Sequence, residues 1–373
     1  VAVAPLGLYT DSIQATITMK SGRLLGIQLA RAFAAMLVVL YHASRMISLP
    51  QYAGHVGLGG ILSFGHSGVD FFFVLSGFII YYVHNGDLGH PAELRRYIWR
   101  RVARIYPDYW LVLTFVVLIS VIKHDPSLTP DHFLRSLFLL PDDHEPLLGV
   151  SWTLVYEMLF YLVFALGIVD IRLGLVAGVL WIAAIVGGVG QYHEPFLSVF
   201  GSIRNLQFLI GIVAARIVLR TRPRFALWLA GAGIVAFLGT GILENVGIVS
   251  WDSAGSSIMF GAGAAMAIVG LASAEKQGHL RVGRIGEFLG GASYLLYLVH
   301  TIVIGLVFRA LTFGGIIHGM PDWIAVILAA TCSVAVAGML YRFIEQPTLG
   351  MLNRFGRKHV FATIASADAH TSP

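Results

Sequence analysis

The chain has 373 residues, 57% of them hydrophobic and only 12% charged, with a mean hydropathy of +0.78. A soluble domain carries about 25% charged residues, so lipid must cover much of this surface. The formal net charge of +5 sits in short loops between long, continuous apolar runs; that excludes a nucleic-acid binder and a β-barrel and leaves a helical bundle, which satisfies its backbone internally.

In chain order, residues 1–22 are polar, lack the apolar core of a signal peptide, and read as a disordered extension. Residues 23–350 form the transmembrane domain, and residues 351–373 read as a disordered cytoplasmic tail. A spanning helix needs about 20 mostly apolar residues. The fold expected is all-α, a polytopic bundle of about ten transmembrane helices. The segments are 24–47, 64–83, 106–122, 152–169, 173–189, 203–219, 225–243, 257–274, 290–311 and 323–343. The seventh and eighth are glycine-rich, which suits close helix packing. Lysine and arginine crowd alternate loops, at Arg95 to Arg104, Arg216 to Arg224, Lys276 to Arg284 and Arg354 to Lys358, while Asp125, Asp142, Asp143, Glu145, Glu194, Glu244 and Asp252 occupy the others. This positive-inside pattern places both termini in the cytoplasm. Cys332 is the single cysteine, inside an apolar segment, so an internal disulfide is excluded. No cysteine–histidine spacing suggests a metal.

Arg31 and His42 lie on the first segment, eleven positions apart. That is three helical turns plus roughly 20°, so they share one face about 16 Å apart along the axis. Ionisable groups inside a span are costly and default to function. The plainer alternative is that Arg31 snorkels to one interface and His42 sits passively at the other. As a catalytic group, His42 is a general base for a sugar hydroxyl, with Arg31 holding phosphate or polarising an acyl carbonyl. Asp70, in the run Gly68 to Phe78, is read as pairing with a cation or orienting His42, or else as a helix-start acid in an aromatic stripe. Ser76 and Gly77 allow tight packing there, and Ser76 is placed with the donor-side set.

Arg100, Arg101 and Arg104 form the densest basic cluster, with Arg100/Arg104 and Arg101/Arg104 neighbours on a helix. They are candidates for the phosphates of a nucleotide-bearing donor, with Tyr109 beside them at the membrane entrance. Spacing alone equally permits a topology signal or an anionic-lipid patch. Trp152, Tyr156, Glu157 and Tyr161 open the fourth segment. Aromatic rings beside a carboxylate suit a sugar, and Glu157 in an apolar run needs a partner or a hydrated cavity. Tyr294 and His300 mark a polar stripe on the ninth segment and join the substrate-binding set. Arg342 and Glu345 are read as a structural i,i+3 pair closing the tenth helix.

These motifs together resemble the acyltransferase-3 family, nearest in kind to bacterial exopolysaccharide O-acetyltransferases. The likeness runs from Leu24 to Pro347. It rests on Arg31 and His42 with ten residues between them, the Phe71–Phe78 stretch, the run Arg100 to Pro107, Trp152 with Glu157, Ser293-Tyr294 with His300, and Arg342 with Glu345-Gln346-Pro347. The resemblance implies a multi-pass protein of the bacterial inner membrane. It would take an acetyl group from cytoplasmic acetyl-CoA and place it on a hydroxyl of a glycan, often lipid-linked. His42 would carry the family's essential histidine role with Arg31 its partner, and the second-loop arginines would face the donor. Acetyl-CoA, the glycan, membrane lipid and the polysaccharide synthesis machinery are the implied partners. Intramembrane charges fit a transporter or flippase of a sugar-lipid equally well, although no inverted repeat supports that reading.

Overall fold

The computed structural model describes residues 24–54 and 57–356. The extension expected over residues 1–22 and the tail beyond Gly356 lie outside the described residues. Helix α1 spans Leu25–Ile47, α2 Gly68–His84, α3 Leu94–Ile122 and α4 Pro130–Phe138. They are followed by α5 Trp152–Val169, α6 Ile171–Val186, α7 Pro195–Phe200, α8 Leu206–Arg220 and α9 Ala226–Asn245. The chain closes with α10 Ala254–Lys276, α11 Arg284–Phe313, α12 Asp322–Leu340, a π-helical turn Tyr341–Glu345, and α13 Gln346–Gly356. No strand occurs among the described residues.

Among the described residues, eight helices are long and apolar enough to cross a membrane. The other two segments expected to span also fold as helices, but α6 has 16 residues and α8 has 15. α3 begins well before residue 106 and carries the whole arginine cluster on its first turns. Residues 351–356, read from sequence as the start of a disordered tail, instead complete α13.

Helix ends are satisfied by polar groups from near and far. Asp170 accepts from the backbone N–H of Arg172 (2.6 Å) at the start of α6, and Thr129 caps α4 ahead of Pro130. The start of α1 has no local cap. Glu275, on α10, accepts from the N–H groups of Leu25 (2.7 Å) and Gly26 (2.6 Å) instead. A carboxylate at a helix N-terminus meets both the free N–H groups and the positive end of the dipole. This contact ties α1 to α10 across some 250 residues of sequence.

Glycine brings the helices together. A Cβ at Gly77 of α2 would lie 2.0 Å from the Phe208 carbonyl oxygen of α8, and one at Gly233 of α9 would lie 2.2 Å from the Ala267 nitrogen of α10. Lipid tails are as apolar as leucine, so close backbone approach rather than a hydrophobic drive holds such pairs. α2 with α8, α9 with α10, and α1 with α11 form the closest pairs of the bundle. The glycine-rich seventh and eighth segments therefore pack as their sequence suggests.

Candidate functional site

Two cavities lie along α1. The first is lined by Arg31, Ser76, Arg101, Arg104, Glu157 and Tyr161 among others, and holds about 150 Å³ of space that water can enter. The second, past the other half of α1, is lined by His42, Asp70, Trp152 and Tyr156 among others, and holds about 810 Å³. Only the second is in the size range of ligand pockets. Val69 and Tyr297 line both cavities and stand where the two adjoin. The shared face of Arg31 and His42 thus becomes one cavity each, about three turns apart.

His42 does not stand alone. Its Nδ1 lies 2.9 Å from the Val38 carbonyl oxygen and 3.2 Å from Nε2 of His300. Nδ1 of His300 lies 2.7 Å from the Tyr297 carbonyl oxygen and 3.2 Å from that of Leu296. Carbonyls only accept, so Nδ1 of a neutral His300 carries the proton and its Nε2 is a bare acceptor. Nδ1 of His42, between a carbonyl and that bare nitrogen, must then donate. The network assigns His42 the Nδ1–H form and leaves its Nε2 as a lone pair. Among the described residues no hydrogen bond reaches His42 Nε2, and the residue lines the larger cavity.

In the narrow cavity Glu157 Oε1 accepts from the Ser76 hydroxyl (2.6 Å) and the Tyr161 hydroxyl (2.5 Å). Two hydroxyl donors on one oxygen satisfy a carboxylate that lies inside a span. Arg101 sits over the Tyr161 ring at 5.7 Å, and its buried Nε has no partner. Arg104 pairs with Glu345 and lies over the Tyr294 ring at 5.2 Å. Arg31 donates to Gln28 at 3.3 Å. The end of the bundle that holds this cavity is therefore rich in guanidinium groups.

Several expected placements are corrected. Asp70 does not reach His42; its carboxylate accepts from the Gln207 side chain at 3.0 Å. Tyr109 is fully buried and donates to the Ser136 carbonyl oxygen at 2.5 Å, away from either cavity, so its hydroxyl is spent on packing the 130–140 segment. Arg100 lines neither cavity. His300 is fully buried behind His42 and touches no cavity. Arg342 and Glu345 do not pair. The π-helical turn carries Glu345 inward to Arg104, while Arg342 donates to Gln346 at 3.0 Å. A π-turn widens the helix by one residue, which breaks the i,i+3 register.

The sequence reading did not single out Tyr297, which lines both cavities, or Thr153 beside it. The Tyr297 hydroxyl donates to the Val150 carbonyl oxygen at 2.9 Å, and the Thr153 hydroxyl lies 2.9 Å from it. It also missed His66 and Trp251 at the larger cavity and the role of Glu244 behind His66; a glutamate and a Trp-Asp pair flanking an apolar segment were the only signals. Among the described residues no group of histidine, cysteine, aspartate and glutamate is arranged to hold a metal ion.

Eight helices able to cross a membrane, together with the comparisons with known proteins, define an integral-membrane O-acyltransferase. The sequence profile of the acyltransferase domain family matches residues 24–342. The chain is 30% identical over 331 residues to the exopolysaccharide production protein ExoZ of Rhizobium meliloti (strain 1021), covering 83% of this chain and 97% of that one. It is 26% identical over 392 aligned residues to the acyltransferase MdmB of Streptomyces mycarofaciens, covering 92% and 95% respectively. No solved structure matches. The chain belongs to the acyltransferase-3 family.

Proposed function

We propose that this protein transfers an acetyl group from cytoplasmic acetyl-CoA to a hydroxyl of a lipid-linked exopolysaccharide glycan at the bacterial inner membrane. The observation that carries the reading is the lone pair left on Nε2 of His42, a residue that lines the larger cavity, with an arginine-lined cavity adjoining it at Val69 and Tyr297. The positive-inside pattern supports a cytoplasmic position for the arginine-rich end, the compartment of the donor. The similarity to an exopolysaccharide production protein supports the glycan.

Arg101, Arg31 and Arg104, which line the narrow cavity, attract the donor's phosphates through charge-assisted hydrogen bonds. The slim acyl-bearing arm extends along the narrow cavity toward Tyr297. An acceptor hydroxyl in the larger cavity attacks the thioester carbonyl while His42 Nε2 takes its proton. The C–O ester bond forms, the C–S bond breaks, and the imidazolium returns the proton to the departing thiolate. His300 holds the His42 ring and accepts from its Nδ1–H, so the positive charge formed during transfer has a partner.

Proton NMR of surface polysaccharide from a deletion strain tests this. The intact protein restores O-acetyl signals; His42→Ala, expressed to the same level, does not. Equal restoration by both would reduce His42 to a packing residue and end the mechanism. Changed polysaccharide export with unchanged acetylation would favour a transporter.

A further inference from the structure

One wall of the larger cavity is built by residues that the transfer chemistry does not use. His66, on the short helical turn Ser63–Ser67, lies with Nε2 2.8 Å from Glu244 Oε2, and the Glu244 side chain is only 1% exposed. Glu244 closes α9 and uses its other oxygen, Oε1, to accept from the Asp252 N–H at 3.0 Å. Asp252 has φ +51°, in the left-handed region that is uncommon outside glycine, though aspartate enters it more readily than most residues. Two contacts hold it: the Glu244 carboxylate and an ion pair with Arg204. Arg204 in turn lies over the Trp152 ring at 5.4 Å.

The result of this fixed turn is the position of Trp251. Its ring stands 5.2 Å from that of His66 and lines the cavity, yet the residue is 59% exposed. An exposed indole next to a left-handed residue gains little from packing; backbone conformations of this kind, held by their surroundings, concentrate at ligand sites. The wall is close to the candidate base. Tyr41 lies 5.0 Å from the His42 ring and 6.0 Å from the His66 ring. Because the carboxylate of Glu244 claims His66 Nε2, Nδ1 is the ring nitrogen left to meet a ligand, and no hydrogen bond reaches it among the described residues.

We propose that this wall is the acceptor subsite and that it takes an uncharged pyranose unit. Resting on the acyl-transfer reading above, the assignment adds which residues hold the sugar and what charge that sugar has. Trp251 offers an apolar face to the ring's C–H groups, and His66 and the Arg204–Asp252 pair meet hydroxyls at its edge. The charge follows from the lining. The larger cavity carries five carboxylates, on Asp70, Asp142, Asp143, Glu145 and Asp252, against one guanidinium, on Arg204, which Asp252 already engages. An anionic sugar would meet like charge with no free arginine or lysine to compensate.

The test uses purified full-length protein, acetyl-CoA, and the host's own repeat-unit oligosaccharide stripped of esters by mild alkali. Trp251→Ala raises the KM for the oligosaccharide about tenfold and leaves the KM for acetyl-CoA unchanged. Trp251→Phe, which keeps a ring face, recovers most of the affinity. Methyl β-glucopyranoside competes with the oligosaccharide, and the corresponding glucuronoside does not. An unchanged oligosaccharide KM in Trp251→Ala, or equal competition by the glucuronoside, would overturn the subsite while transfer itself stands. No acetylated product from the wild type would overturn the proposed function, and the subsite with it.

Discussion

Replacing His300 is the sharpest probe of the histidine pair. The ring touches neither cavity, so it does not meet substrate. Its effect must pass through the 3.2 Å contact with His42 Nδ1. In His300→Leu that acceptor is gone, but the Val38 carbonyl at 2.9 Å still receives the Nδ1–H. The loss is therefore one neutral hydrogen bond in a buried setting, plus the partner for the imidazolium formed in the transition state, about 1–2 kcal/mol. That corresponds to a fall in kcat of roughly five- to thirtyfold, well short of the ~100- to 10,000-fold expected when the base itself is removed. The KM for acetyl-CoA stays put. His300→Gln separates positioning from packing. Its carbonyl oxygen can accept from His42 Nδ1, whereas leucine suits the apolar surroundings of Leu296 and Val299 better. The assay is CoA thiol release at saturating donor and acceptor, with thermal unfolding in parallel. The glutamine variant should be the more active and the less stable of the two. A leucine variant with wild-type kcat, or one more active than the glutamine variant, would refute the relay.

Two further outcomes follow from the geometry. Arg101→Gln removes a guanidinium that lines the narrow cavity, so the KM for acetyl-CoA should rise about tenfold, the worth of one charge-assisted hydrogen bond, with kcat little changed; titrating donor at saturating acceptor checks it. Gly77→Val forces a side chain onto the Phe208 carbonyl at 2.0 Å and should destabilise the bundle by about 1–3 kcal/mol, seen as a lower unfolding temperature in detergent, while Gly86→Ala, with open space around it, should not.

The class of this protein was legible in its sequence because each signal is local. Membrane insertion is decided by runs of about 20 apolar residues. The common face of Arg31 and His42 follows from helical geometry over eleven positions, and the glycine-rich segments announced close packing before any partner was known. The arginine cluster, too, could be read as one unit, although the structure admits only Arg101 and Arg104 to the cavity and turns Arg100 away.

Long-range pairing was not legible, and the site depends on it. His300 meets His42 across 258 positions, Arg104 meets Glu345 across 241, and Glu244 meets His66 across 178. Local spacing suggested Arg342 for Glu345, and Asp70 was read as able to orient His42; both carboxylates instead have partners on other helices. The reason is physical. A polar group inside a span has no water to fall back on and must find its partner on whichever helix the packing brings near. Apolar periodicity tells a chain that it will cross the membrane; only the arrangement of the crossed helices decides which nitrogen of His42 is left free to act.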